Sequence, residues 1–211
     1  MMKRILIADD HAIVRKGLKE TLEEELGEVT FGEAQNGHQV MDQVRKQEWD
    51  LVLLDIGMEG RSGLEVLDEL REVKPKLAVL MLSMYPENEF AVRALRQGAV
   101  GYVSKQAAPE EMVAAISKVL AGGRYVSSTV AEKLAAHMNG ASEKPPHELL
   151  SNRELQVMRL VASGKSLKEI AAELSLSVKT VGTYHTRLFH KMNVNSDVEL
   201  TRYALLNKLV N

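Results

Sequence analysis

Cysteine is absent from the 211 residues, so disulfides, thiolate catalysis and thiolate metal sites are excluded. No apolar run approaches the ~20 residues a membrane span requires. The short apolar run in MMKRILIADDH meets two aspartates at residues 9 and 10, before it reaches the length of a signal peptide. The cytoplasm is the expected location, with no membrane partner. Proline is scarce, at 5 residues, and no internal repeat or low-complexity tract interrupts the chain. What remains is a soluble globular composition, 45% hydrophobic and 27% charged, long enough for one or two domains.

The net charge of −2 conceals an asymmetry. Residues 1–121 carry 15 Lys+Arg against 21 Asp+Glu, whereas residues 148–211 carry 9 against 6. An acidic front and a basic back imply two modules with different partners.

The front alternates apolar runs with segments of helical periodicity. The runs are 4–8, 28–34, 51–55, 77–82 and 100–104; the periodic segments are about 12–25, 38–46, 63–73, 87–97 and 109–121. Five repeats of strand and helix predict a parallel sheet covered on both faces. After residue 121 a helical segment at about 128–138 leads into NGASEKPPH, whose Gly, Ser and Pro mark a linker. From about 149 no convincing strand occurs. Ser151-x-x-Glu154 and Ser166-x-x-Glu169 have the form of capping boxes, Gly164 stands where the first of these helices should stop, and Ser177 can cap a helix over 178–192. A last helix is expected over 196–208.

In a parallel sheet of this kind, sites form beyond the carboxyl ends of the strands. The first strand ends at Asp9 and Asp10, the third at Asp55 and the fourth at Ser83; Lys105 follows the fifth. Alone, Asp10 is as readily a helix cap, Ser83 a turn hydroxyl and Lys105 a solvated cation. Together they make an acidic rim, and three close carboxylates repel one another unless a hard cation joins them. Magnesium takes oxygen ligands, typically one or two carboxylates with several waters. With it, Asp55 can stay ionised and attack a phosphoryl group, while Ser83 and Lys105 contact the oxygens of the resulting acyl phosphate.

The motifs ILIADDH, LVLLDIGM, LMLS and GYVSK, in this order and spacing, resemble the receiver domain of bacterial two-component response regulators across residues 3–121. The resemblance implies a flavodoxin-like α/β fold with a five-stranded parallel sheet, and Asp55 as phosphoacceptor. It further implies Mg2+ held by Asp10 directly, by Asp9 through water, by Asp55 and by the backbone carbonyl of Gly57. Ser83 and Lys105 match the switch hydroxyl and lysine, and Tyr102 the aromatic whose rotation accompanies activation. One position departs: the family usually has Pro after the loop Met, and here it is Glu59. A solvent-facing loop residue and a modifier of phosphorylation or metal affinity are both open readings of it.

The back end, LSNRELQVMRLVASGKSLKEIAAELSLSVKTVGTYHTRLFHKMNV, resembles the LuxR-type DNA-binding domain, a four-helix helix-turn-helix unit. With the receiver it matches the NarL/FixJ class. The expected core is Ile170, Ala171 and Leu174 on one helix, then Val181, Leu188 and Met192 with Tyr184 or His185 on the next. By alignment with the family, Gly182, Thr183 and Thr186 face the DNA groove, offering thymine methyl contacts or single hydroxyl bonds. Lys165, Lys168, Lys179, Thr180 and Arg187 are candidates for phosphate contacts, which position without specifying. The last helix shows Val198, Leu205 and Leu209 with Tyr203 nearby, and most of that stripe is expected in the domain core. The resemblance implies that the same helix supplies the dimer contact, here through these three residues.

The expected organisation is a receiver over 1–121, a helical linker over 122–148 and the DNA reader over 149–211. The expected function is that of a response regulator, not an enzyme: a sensor histidine kinase phosphorylates Asp55, and the protein, as a homodimer, controls transcription through double-stranded DNA. RNA polymerase is a further partner that such a role allows. Rival readings are a receiver that is never phosphorylated, a small-molecule-sensing LuxR-type regulator, and a magnesium-dependent phosphoryl hydrolase.

Overall fold

Four consecutive residues of the first strand, Ile5–Ala8, are buried on both faces, and all five residues of LVLLD are buried too. Only the interior strands of a covered parallel sheet bury such unbroken apolar runs. The computed structural model describes residues 2–84, 89–128, 130–132, 135 and 145–210, in two compact units that divide between residues 139 and 140.

The first unit has strands β1 (Lys3–Ala8), β2 (Val29–Ala34), β3 (Leu51–Asp55), β4 (Ala78–Ser83) and β5 (Gly101–Ser104). They alternate with α1 (Ala12–Leu26), α2 (Gly37–Lys46), α3 (Gly63–Val73), α4 (Glu89–Arg96) and α5 (Pro109–Leu120). All pairings are parallel, in the order β2-β1-β3-β4-β5, which is the flavodoxin-like arrangement expected from the alternating pattern. Ile5, Ile7, Leu51, Leu53, Leu80, Leu82 and Val103 meet Leu22 of α1 and Met112, Ala115, Ile116 and Val119 of α5 in one core. Strand side chains alternate in direction, so the intervening buried residues, Leu6, Val52, Leu54, Val79, Met81 and Tyr102, belong to the opposite face.

The order also locates the site. From β1 the chain moves outward to β2, and from β3 it moves the other way to β4. The loops that leave these two neighbouring strands therefore diverge and open a crevice at their carboxyl ends.

The unit runs past residue 121. The N–H of Tyr125 donates to the carbonyl of Val100 at 3.0 Å, and its ring packs against the β1/β3/α5 core. A Cβ on Gly101 would lie 2.6 Å from the carbonyl oxygen of Tyr125, so this close approach depends on glycine. Of the helix expected at about 128–138, residues 129, 133, 134 and 136–138 lie outside the described residues, as do 87 and 88 of the expected 87–97 helix.

The second unit begins with a 3-10 turn, Pro146–Leu149, followed by α6 (Asn152–Ala162), α7 (Leu167–Glu173), α8 (Val178–Met192) and α9 (Asp197–Leu206). Both expected capping boxes form, Ser151 with Glu154 and Ser166 with Glu169. The Thr180 N–H donates to Ser177 Oγ at 3.0 Å. Ile170, Ala171, Leu174, Val181, Leu188 and Met192 are buried with Leu155, Met158, Leu200 and Ala204. Tyr184 and His185 are half-buried. Across this core, Lys191 Nζ on α8 pairs with Glu154 of the α6 cap at 2.7 Å.

Candidate functional site

β1 and β3 deliver their last residues into the crevice. Asp9 is wholly buried and Asp55 is 2% exposed; Asp10, one residue further out, is half-buried. β5 brings Lys105 to the same place, where its ammonium stands 2.6 Å from Asp9 Oδ2 and 2.8 Å from Asp55 Oδ2. The Lys105 N–H donates to the Ser83 carbonyl at 2.8 Å, which fixes the end of β5 beside the end of β4. Ser83 and Tyr102 are both buried. Every residue assigned to the receiver site thus occupies or adjoins one strand-end rim.

The loop after β3 is held from two sides. The Gly57 N–H donates to the Asp55 carboxylate, and a Cβ on Gly63 would lie 2.0 Å from the Asp55 carbonyl oxygen, so only glycine lets α3 start this close. Ser62 then caps α3 in a box with Glu65. Glu59 is exposed, and its backbone forms an isolated parallel bridge with Asn36. Glu59 thus faces solvent and is outside the carboxylate cluster.

Burial pushes the Asp55 carboxyl up to about 6; Lys105 pulls it down and the charge of Asp9 pushes it further up. Burial alone would lower Lys105, yet its value is raised, because the Asp55 and Asp9 carboxylates together outweigh the desolvation. One ammonium is shared by two buried carboxylates, with a third at the mouth, so the site carries an excess of negative charge.

Oxygen or nitrogen donors of Asp9, Asp10, His11 and Asp55 all lie within 4.8 Å of one another. Asp9 Oδ2 and Asp10 Oδ1 are buried without a hydrogen bond of good geometry; their near neighbours are Lys105 Nζ and His11 Nδ1, the latter 2.7 Å from Asp10. An oxygen-rich, net negative cluster with such atoms fits a hard divalent cation.

Two supports of this site were not read from the sequence. His11 lies against both amino-terminal aspartates. Arg15 is buried on α1, donates from Nη1 to the Asp9 carbonyl at 2.8 Å, and pairs through Nε with Glu33 of β2 at 3.0 Å. The available signal was its register: Arg15 shares the inward stripe of Leu18 and Leu22, where a charge needs a buried partner.

In the second unit, α8 turns Val181, Leu188 and Met192 inward and leaves Lys179, Thr183, Thr186, Arg187 and His190 exposed, with Gly182 half-buried. Lys168 is exposed, whereas the Lys165 ammonium is tied to Glu173. The Thr180 hydroxyl is engaged with Ser177 Oγ at 2.7 Å. On α9 the expected stripe is split. Val198 is 78% and Leu205 51% exposed, but Leu209 is 1% exposed. Leu209 is a core residue, because the chain folds back after α9 through Lys208 in a left-handed conformation (φ 54°). It is withdrawn from the dimer contact.

The parallel sheet in this strand order, with its acidic crevice at the β1/β3 reversal, defines a receiver domain, joined here to a small helical regulatory unit. Residues 5–117 match the response regulator receiver domain, and residues 148–204 match the luxR family of bacterial regulatory proteins. The chain is 37% identical to Response regulator UvrY of Escherichia coli K12 over all 211 residues, covering 97% of that protein. It is 36% identical to Response regulator GacA of Pseudomonas aeruginosa PAO1, covering 99% of this chain and 98% of that one. A solved structure of RcsB from Salmonella enterica serovar Typhimurium, bound to promoter rprA in the presence of phosphomimetic BeF3−, is similar with a TM-score of 0.63 and 27% identity, over 95% of this chain and 98% of that one. The chain belongs to the NarL/FixJ family of response regulators, which regulate transcription and are not enzymes.

Proposed function

We propose that the protein is switched by phosphorylation of Asp55 and reads double-stranded DNA through α8. The observation that carries this is the Asp9–Lys105–Asp55 arrangement: a buried carboxylate at the β1/β3 crevice, with a cation poised beside it. In the transfer, an Asp55 carboxylate oxygen bonds to phosphorus as the P–N bond of a phosphohistidine on a sensor histidine kinase breaks, and the departing imidazole takes up a proton. Mg2+, when bound by Asp10, Asp55, the Gly57 carbonyl and, through water, Asp9, offsets negative charge on the phosphoryl oxygens. Lys105 moves its ammonium from the carboxylates to a phosphoryl oxygen, and the Ser83 hydroxyl donates to another. Tyr102, on β5 three residues before Lys105, repacks in response.

The domains in this reading are a receiver over 1–121, a linker over 122–148 and a reader over 149–211; the attachment of Tyr125 to β5 argues for moving the first boundary a few residues onward. Lys168, Lys179 and Arg187 contact phosphates, with Lys165 joining them if it exchanges Glu173 for DNA, while Thr180 holds the α8 cap. Gly182, Thr183 and Thr186 meet base edges. The exposed Val198 and Leu205, extended by Leu206, form the homodimer contact of the phosphorylated protein, and RNA polymerase is the partner through which bound protein acts. The proposed site of action is the cytoplasm, where a DNA-reading regulator of this family meets its DNA; no helix among the described residues is long and apolar enough to cross a membrane.

Incubation with Mg2+ and acetyl phosphate should add one phosphoryl group to the wild type and none to Asp55→Asn, read as intact mass. Equal labelling of the two would overturn the assignment. Selection of bound genomic fragments with the phosphorylated protein then tests DNA reading.

A further inference from the structure

We infer that the DNA-facing patch of α8 recognises thymine through the methyl groups of Thr183 and Thr186, not through their hydroxyls. The inference deepens the DNA-reading role proposed above and rests on it.

A threonine on a helix offers two chemistries, a hydroxyl that donates one proton and a methyl. Which one is presented depends on whether the hydroxyl is already engaged. Here both are. Thr183 Oγ1 donates to the Lys179 carbonyl at 3.0 Å, and Thr186 Oγ1 donates to the Gly182 carbonyl at 3.0 Å. Each side chain bonds back to its own helix four residues earlier, a rotamer threonine adopts readily in helices. The single hydroxyl proton is used, so neither side chain has a donor left for guanine N7, guanine O6 or adenine N7. Each oxygen keeps acceptor capacity only, for cytosine N4 or adenine N6, and the valine variants below remove it. Turning the hydroxyl outward would sacrifice the back-bond.

Gly182 adds no donor either, and a Cβ built there meets nothing within 4 Å. The three residues form a donor-free surface of two methyls beside a position with no side chain. In the major groove the thymine C5-methyl is the apolar feature that such a surface matches. The flanking cations, Lys179 and Arg187, are both exposed, so they can serve the phosphates while the patch between them reads methyls.

The test uses the full chain and two opposed substitutions at each threonine. Valine keeps the methyl surface and removes the hydroxyl; serine keeps the hydroxyl and its back-bond and removes the methyl. On a fragment from the selection, Thr183→Val and Thr186→Val should bind within about twofold of the wild type, and the serine variants about fivefold or more weaker. The same fragment made with deoxyuridine in place of thymidine lacks every C5-methyl. It should cost the wild type about fivefold or more, and Thr183→Ser less than the wild type. Valine variants that lose about fivefold or more while the serine variants bind like the wild type, or a wild type indifferent to deoxyuridine, would overturn methyl reading while leaving DNA reading intact. A wild type that binds selected and scrambled fragments equally would overturn both. Far-ultraviolet circular dichroism confirms that the exposed substitutions leave α8 folded.

Discussion

Asp55 is more useful than stabilising. Its carboxyl rises from an ordinary 3.8 to about 6, because burial and the charge of Asp9 together outweigh the pull of Lys105. A rise of that size corresponds to ~3 kcal/mol withheld from the folded receiver while the group is ionised. The folded state holds the Asp55 proton up to pH about 6 and the unfolded state releases it near 4, so the penalty is absent below pH ~4 and complete above pH ~6. Asp55→Asn should therefore be more stable than the wild type by ~1–3 kcal/mol at pH 7.5 without divalent cation. That gap should close as pH falls from about 7 toward 4.5. Thermal melts across that range measure it, and an Asn variant less stable at pH 7.5 would mean that the ion pair with Lys105 outweighs desolvation. Arg15 acts on the same loop from behind. Arg15→Met keeps an apolar stem on the core face but loses the bond to the Asp9 carbonyl, a charged hydrogen bond worth ~1.5–3 kcal/mol. Mg2+ affinity should fall by about tenfold or more, with Glu33→Gln weaker in effect because Glu33 is itself half solvated. Calorimetry is the suitable readout: Trp49 precedes β3, at the opposite end of that strand from Asp55. Unchanged Mg2+ binding in Arg15→Met would show that the loop does not need that bond.

The helices of the second unit all end in the same way. Gly164, Ser175, Asn193 and Lys208 follow α6, α7, α8 and α9 with φ of 84°, 51°, 52° and 54°. In each case the next residue donates back across the turn: Lys165 to Leu160, Leu176 to Ala171, Val194 to Phe189 and Leu209 to Ala204. These are left-handed caps that favour glycine, and only α6 has one. Ser175→Gly should stabilise the unit by roughly 0.5–1 kcal/mol by removing left-handed strain from the turn between α7 and α8, and Gly164→Ala should destabilise it by about 1 kcal/mol. Urea unfolding measures both, and a destabilising Ser175→Gly would show that the serine side chain stabilises the turn. The same caps mark what the sequence could reveal. Gly164 and the two Ser-x-x-Glu boxes announce helix ends because their chemistry is local. Ser175 and Lys208 do not, since only the packing of the following leucine forces them left-handed. Which members of the Val198, Leu205 and Leu209 stripe join the core was hidden for that reason: the spacing of Leu209 continues the α9 stripe, but the helix has already ended at Leu206. The strand-end carboxylates were legible because sheet topology fixes where β1 and β3 finish. Arg15 and His11 were not, because their partners come from β2 and from a loop whose path the periodicity does not describe.

At the scale of the whole molecule, an acidic receiver limits how much DNA affinity the chain derives from charge, leaving the reader's few cations to set it. Each phosphate neutralised contributes about 0.9 to the slope of log affinity against log salt. A residue that touches phosphate once per protomer therefore also counts protomers. Lys179 is suited to this use, since it is exposed at the start of α8 and pairs with no acid within 4.0 Å among the described residues. If the phosphorylated protein binds as a homodimer through Val198 and Leu205, Lys179→Ala removes two contacts from the complex on a two-half-site fragment. The slope should then shrink by about 1.8, but by about 0.9 on a fragment carrying one half-site. Val198→Asp with Leu205→Asp, both on exposed positions, should abolish the difference and return about 0.9 on either DNA. Affinity should fall on selected and scrambled sequences alike, because a phosphate contact carries no sequence information. Fluorescence anisotropy at several salt concentrations gives all of these slopes. A decrease of about 0.9 on the two-half-site fragment, with α9 unaltered, would mean that one reader binds alone, and a loss confined to the selected sequence would place Lys179 on a base instead of a phosphate.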